Sequence, residues 1–133
     1  MEKITVKQVS DYKNRGQARE QDFRFAYSQT MEKADNKKAT VCADIDDIQI
    51  KSARATICQG LDVDGYLAQD KANRYAYVTK NETAYIMTKT EYAEFAKRFH
   101  TVTRESTKNG GATKMRFLDE NQKMMAWLES HVA

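Results

Sequence analysis

Three polar side chains of different chemistry are predicted to converge near the middle of the chain. Asp46-Asp47 is a two-residue turn between two runs rich in β-branched residues, which predicts a β-hairpin. In that register Asp44 lies opposite Gln49, and Lys51 shares the face of Gln49 because side chains alternate along a strand. A carboxylate, an amide and an ammonium group therefore meet on one patch.

Such a patch can perform metal-assisted chemistry. The carboxylate of Asp44 and the amide oxygen of Gln49 can hold a hard cation such as Mg²⁺, and the backbone carbonyl of Ile50 can add a ligand. Lys51 can orient a water for attack on a phosphodiester. The alternative is that these residues form the wet face of an amphipathic hairpin whose Ile48 and Ile50 face the core. The pattern by itself leaves both interpretations open.

The same residues resemble a known family. An Asp, a turn and then acid-x-Lys on the next strand form the core motif of the PD-(D/E)XK nuclease superfamily, which has the restriction-endonuclease-like fold. Here Asp44 is followed by Gln49-Ile50-Lys51, with Gln where the acid usually stands, as in Mrr-like restriction enzymes. The resemblance implies a metal-dependent DNA endonuclease of mobile-element or phage type, using Mg²⁺ or Mn²⁺. It also implies an α/β fold whose central mixed β-sheet is flanked by helices.

A second stretch, residues 13–23, resembles the opening of archaeal Holliday-junction resolvases, where a basic residue and Gly precede the first helix. In those enzymes a Glu one turn into the helix joins the active site, which implies that role for Glu20. Glu20, Phe23 and Tyr27 fall at i, i+3 and i+7 and so share a helical face. The alternative is that Glu20 pairs with Arg24 on a solvated stripe. The likeness in sequence covers residues 13–57; beyond it only the order of elements agrees.

That order alternates helices and strands. Besides the hairpin, we expect strands around Asn81-Glu82, a helix opened by the Thr88–Glu91 capping box, and a last helix capped by Asp119. Asn109-Gly110-Gly111 is a turn with short strands possible on each side. The segments are predicted as an arm or short helix over 1–12, helices over 16–31, 61–73 and 88–99, and strands over 40–57, 74–80 and 83–87. The hairpin is placed in the centre of the sheet.

Length and composition bound the class of protein. The chain has 133 residues, 41% hydrophobic and 31% charged, which predicts one globular domain over residues 1–133. The net charge of +3 permits nucleic-acid binding without requiring it. No membrane span and no secretory core are expected. Cys42 and Cys58 lack metal-ligand spacing and are predicted to be buried thiols, which fits a reducing cytoplasm.

Basic residues near the site and around the glycine turn are candidates for phosphate contacts, which position DNA without reading its sequence. They are Arg15, Lys37, Lys38 and Arg54, and then Arg104, Lys108, Lys114 and Arg116. An ordinary solvated loop is the alternative for the second group. Tyr75, Tyr77 and Tyr85 could stack on bases, but their alternation favours the core.

Two classes of function stay open. The first is the endonuclease, for which the family implies a homodimer that cuts both strands. The second is a degenerate nuclease-fold module that binds DNA or protein, as an accessory subunit or an inhibitor. Gln49 favours the second, because a neutral amide weakens Mg²⁺ binding unless Glu20 or Asp46 compensates. Asp46 also replaces Asp44 if the register shifts by two residues, since such a shift keeps the face.

Overall fold

The computed structural model describes residues 1–9, 15–30, 45–52, 63–99, 102–106, 113–117 and 120–133. Within these ranges the chain is a mixed α/β structure. Its elements in chain order are β1 (Glu2–Thr5), α1 (Arg15–Thr30), β2 (Ile48–Ser52), α2 (Val63–Gln69), β3 (Arg74–Val78), β4 (Thr83–Thr88), α3 (Lys89–Phe99), β5 (Val102–Ser106), β6 (Thr113–Phe117) and α4 (Gln122–Ser130).

The described strands form two sheets. The larger is mixed and has the order β1-β4-β3-β2, with β2 parallel to β3 and the other pairs antiparallel. Parallel neighbours need a crossover connection, and α2 lies between β2 and β3 in the chain. Strands β5 and β6 pair antiparallel as a separate hairpin, with Val102 opposite Phe117. The two strands expected around the glycine turn are therefore present, while the turn itself lies outside the described residues.

The larger sheet separates two hydrophobic cores. Tyr75, Tyr77, Tyr85 and Met87 project from what we call the aromatic face and pack with residues of α2, α3 and α4. These three tyrosines have no exposed surface, which confirms the prediction that they belong to the core. Alternate residues of the same strands form the aliphatic face. They are Ala76, Val78, Ala84 and Ile86.

Helix α1 covers the aliphatic face. Phe23, Ala26 and Tyr27 pack there with Ile48 and Ile50 of β2. Small alanines on β3 and β4 leave room for the aromatic rings of the helix to approach the sheet. Helix α1 is thus on the opposite side of the sheet from α2, α3 and α4.

The sequence predicted the N-terminal caps of α3 and α4, and the structure agrees with one of the two. The capping box is confirmed: Glu91 N–H donates to Thr88 Oγ1 at 3.1 Å, and Thr88 N–H donates to Glu91 Oε1 at 2.9 Å. The expected Asp119 cap of the last helix is wrong. Asn121 is extended at φ −147° and its Oδ1 accepts from Met124 N–H at 2.9 Å, so Asn121 caps α4.

Other expectations were met in part. Residues Glu2–Thr5 form a strand, so the extended alternative holds at the start of the chain. Helix α2 ends at Gln69 rather than at residue 73, because Asp70 Oδ1 accepts from Ala72 N–H at 3.0 Å and turns the chain toward β3. Strand β2 lies at the end of the described sheet rather than in its centre. Cys42 and Cys58 lie outside the described residues.

No helix in the described part of the chain is long and apolar enough to cross a membrane.

Candidate functional site

The predicted hairpin register is present where the structure describes it. Ile45 and Ile48 form an antiparallel bridge around Asp46-Asp47, with backbone hydrogen bonds of 2.8 and 3.2 Å. Along β2, Ile48 and Ile50 are buried while Gln49 and Lys51 are half-buried, as the alternation predicted. In the ladder with β3, Gln49 is beside Tyr75 and Lys51 is beside Tyr77. Gln49 and Lys51 therefore belong to the aromatic face.

Lys51 is held there by a tyrosine of the crossover helix. Its Nζ donates to Tyr66 Oη at 3.0 Å and lies 5.4 Å from the centre of the Tyr66 ring. Ammonium and hydroxyl groups both donate hydrogen bonds to phosphate oxygens, so the pair can bind an anion. Sequence reasoning missed Tyr66, because the two residues meet only when the crossover returns the chain to the sheet.

The tyrosines of β3 beside Gln49 and Lys51 are uncharged. Tyr75 stacks on Tyr92 with ring centres 4.4 Å apart and an angle of 14°. Tyr77 Oη donates to Glu120 Oε2 at 2.6 Å. Burial raises the pKa of Tyr77, and the hydrogen bond to Glu120 raises it further, so this hydroxyl stays protonated and contributes no charge.

Helix α1, which carries Glu20, packs on the opposite side of the sheet from Lys51. Phe23 and Tyr27, which share its helical stripe, pack in the core of the aliphatic face, whereas Lys51 extends from the aromatic face to Tyr66. Helix α1 buries its aromatic stripe against the isoleucine side of β2, the side opposite Gln49 and Lys51. That the Glu20 carboxylate clusters with Lys51 stays a prediction.

The turn aspartates also face α1. Asp46 is in the left-handed region at φ 50°, and Tyr27 Oη donates to its Oδ2 at 2.8 Å. The register does not shift by two, so Asp46 does not move into the position of Asp44. Asp44 itself lies outside the described residues. The carboxylate of Asp46 is therefore on the α1 side of the sheet.

Asp47 has a structural partner that the sequence did not reveal. The Arg74 guanidinium donates to Asp47 Oδ1 at 2.7 and 2.9 Å and to Oδ2 at 3.1 Å. These hydrogen bonds lower the pKa of Asp47 below its ordinary value. Arg74 also donates to Tyr27 Oη at 3.2 Å, so the network joins the turn to β3 and α1.

The described residues do not provide a donor set that fits Mg²⁺. No group of three His, Cys, Asp or Glu side chains suited to a metal occurs within the described ranges. Gln49 offers a neutral oxygen, and the ammonium of Lys51 repels a cation. The Ile50 carbonyl, predicted as a further ligand, belongs to the strand that pairs with β3 at Ala76. Asp44, the carboxylate predicted to bind the metal, lies outside the described residues.

Four of the eight basic residues predicted to contact phosphate lie in the described part of the chain. Arg15 is the first residue of α1, and the hairpin strands carry Arg104, Lys114 and Arg116. In the register of β5 and β6, Glu105 is opposite Lys114 and Thr103 is opposite Arg116. Four further candidates, Lys37, Lys38, Arg54 and Lys108, lie outside the described residues.

Comparison with known proteins finds no match: no protein-family model, no curated protein and no solved structure matches this chain.

Proposed function

We propose that this chain is a DNA-binding module that keeps a nuclease-like core without an assembled hydrolytic site. One observation carries the proposal: Lys51 is bound by Tyr66 on one face of the sheet, while α1, with Glu20, packs on the other. A water-orienting lysine must act near the acidic residues that hold the metal, because the water that it orients is bound to that metal.

The order and placement of elements support the nuclease-like core. Helix α1 precedes β2, α2 connects β2 to the parallel strand β3, and the two helices cover opposite faces. This is the arrangement implied by the resemblance of residues 13–57 to the PD-(D/E)XK superfamily. This arrangement therefore supports a similarity in fold to that superfamily, whether or not the chain cuts DNA.

Charge supports DNA as the partner. The chain carries a net charge of +3, and the segment spanning β5 and β6 contains Arg104, Lys108, Lys114 and Arg116 against Glu105. Cations on the two strands of a hairpin suit phosphate contacts, which release counterions and bind duplexes with little sequence preference.

The test is incubation with plasmid DNA and either Mg²⁺ or Mn²⁺. We expect the protein to retard the plasmid in a gel without cutting it. Gln49→Glu restores the usual acid, but it should still not cut, because α1, which carries Glu20, packs on the other face of the sheet. Lys51→Ala should leave the fold unchanged by circular dichroism, since Lys51 is only half-buried. A protein that neither retards nor cuts DNA contradicts the proposal.

The metal-dependent endonuclease is the second candidate. The observation that favours it is that Gln49 and Lys51 share one half-buried face of β2, as the motif requires. In the same assay, cutting by the wild type that is lost in both Asp44→Ala and Lys51→Ala would establish it in place of the first proposal. Lys71→Ala, which removes a lysine at an exposed position away from β2, is the matched control and should cut like the wild type.

A further inference from the structure

A groove lies between the end of α3 and the start of α4. Its volume is about 320 Å³, near the lower end of the range of small-molecule sites. Two aromatic rings, two cations and one amide line it: Phe99, Trp127, Arg98, Lys123 and Asn121. Among the described residues, no acidic side chain lines the groove. The groove therefore combines a surface for a planar ring with charges for an anion.

The aromatic part of the groove is held by packing. Phe99 and Trp127 meet edge to face, with ring centres 5.8 Å apart and an angle of 71°. Phe95, which is fully buried, supports both rings at 5.4 and 5.8 Å. Trp127 also stacks on His131 at 4.1 Å. Both groove rings keep part of their surface exposed, so a flat ligand meets a preformed aromatic contact and little ordering is needed.

The two cations of the groove have no acidic partner among the described residues. Arg98 and Lys123 are exposed, and neither forms an ion pair with another described residue. The adjacent Lys97 differs, because its Nζ is 2.9 Å from Asp64 Oδ1. Lys123 lies in the first turn of α4, which contains no acid and where the helix dipole disfavours a cation. An anion at this place would offset both positive contributions.

We propose that this groove binds single-stranded nucleic acid. An unpaired base would contact Phe99 and Trp127, and phosphates on either side of that base would contact Arg98 and Lys123. Aromatic rings flanked by cations are the combination that single-strand binders use, since every base has a flat face and every link carries a charge. Bases in a duplex are already stacked and cannot enter. This inference rests on the proposed DNA binding and adds the form of nucleic acid.

Trp127 allows a direct test because it is the only tryptophan of the chain. Titration of the wild type with a short oligothymidylate should change tryptophan fluorescence in a saturable way. Phe99→Leu removes one ring while keeping an apolar side chain, and it should raise Kd by about 5- to 150-fold, the effect of losing one stacked base. Circular dichroism melting checks that this variant folds.

The cations are tested by salt dependence. Arg98→Ala and Lys123→Ala should each reduce the slope of log K against log salt by about 0.7, the value for one phosphate of a single strand. Both positions are exposed, so these variants should fold normally. Lys71→Ala removes the same charge at an exposed position outside the groove and should leave the slope unchanged.

Three further ligands test whether binding needs both an unpaired base and its flanking phosphates. An abasic strand of equal length, thymidine monophosphate and a blunt duplex should each leave the fluorescence of Trp127 nearly unchanged. The inference is overturned if oligothymidylate leaves the fluorescence unchanged, if Kd ignores both Phe99→Leu and Lys123→Ala, or if the abasic strand or the mononucleotide binds as tightly. If duplex binding persists in that case, the proposed function stands. If duplex binding is lost as well, both this inference and the proposed function are wrong.

Discussion

At the scale of single residues, the best-defined polar contact is the ion pair of Asp47 and Arg74. The guanidinium engages both carboxylate oxygens, and the Asp47 backbone carbonyl accepts from the N–H groups of Asn73 and Arg74 at 3.1 Å each. The two side chains are 31% and 32% exposed, so solvent screens much of their attraction. The pair fixes the turn that starts β2 against the start of β3.

We expect Asp47→Ala to lower the free energy of unfolding at neutral pH by about 1 kcal/mol, in the range for screened charged hydrogen bonds. The pKa of Asp47 in the folded state is below its ordinary value of 3.8. Its contribution is therefore complete above pH 3.8 and is lost as the pH falls through the lowered folded value. Urea unfolding of both proteins across this range measures the difference.

The control for this prediction is Asp47→Asn, which keeps the size and one acceptor oxygen but removes the charge. It should show a smaller loss than Asp47→Ala at neutral pH, and its difference from the wild type should also shrink in acid. A difference between wild type and Asp47→Ala that stays constant as the pH falls below 3.8 would show that the ion pair does not cause it.

At the scale of elements, two buried tyrosines attach α4 to the sheet. Tyr77 Oη donates to Glu120 Oε2 just before the helix, and Tyr85 Oη donates to Glu129 Oε1 near its end, both at 2.6 Å. Lys3 Nζ also donates to Glu129 Oε1, at 2.5 Å. Short hydrogen bonds to carboxylates are stronger than neutral ones, so these contacts fix both ends of α4.

We expect Tyr77→Phe to lower the free energy of unfolding by about 1–2 kcal/mol, because it leaves a half-buried carboxylate with one fewer donor. Hydrogen exchange should show faster exchange for amides of α4 than for those of β3. The matched control is Tyr75→Phe on the same face: the buried Tyr75 hydroxyl lies near Asp70 but meets hydrogen-bond geometry with no described residue. That change should be neutral or stabilising. Equal losses in both variants would contradict the anchoring role.

At the scale of the whole molecule, DNA binding should depend on salt and on the β5–β6 hairpin. Replacing Lys108, Lys114 and Arg116 together with Ala should weaken duplex binding across unrelated sequences. The slope of log K against log salt should fall by about 0.9 for each phosphate contact that is lost. Fluorescence anisotropy with a labelled duplex at several salt concentrations measures both quantities.

The control variant removes three lysines at exposed positions elsewhere, Lys71, Lys80 and Lys97, and so has the same net charge as the hairpin variant. If binding depends only on net charge, both variants lose the same slope, and the hairpin has no special role. If neither the salt concentration nor either set of changes alters Kd, DNA binding through phosphates is wrong.

The sequence by itself determined the local features of this protein. The extent of α1 to within one residue, the capping box of α3, the Asp46-Asp47 turn and the alternation along β2 follow from neighbours in the chain. Side-chain periodicity, caps and turn residues act over a few positions, so the sequence alone is enough to predict these local structures.

Only the tertiary structure decided which side of the sheet each candidate occupies. Periodicity places Glu20 on the stripe of Phe23 and Tyr27, but it does not say against which face of β2 that stripe packs. The choice depends on volume: alanines of β3 and β4 accept the rings of α1 on one face, while tyrosines fill the other. Packing over the whole sheet therefore placed α1 on the face opposite Lys51 and brought Lys51 to Tyr66.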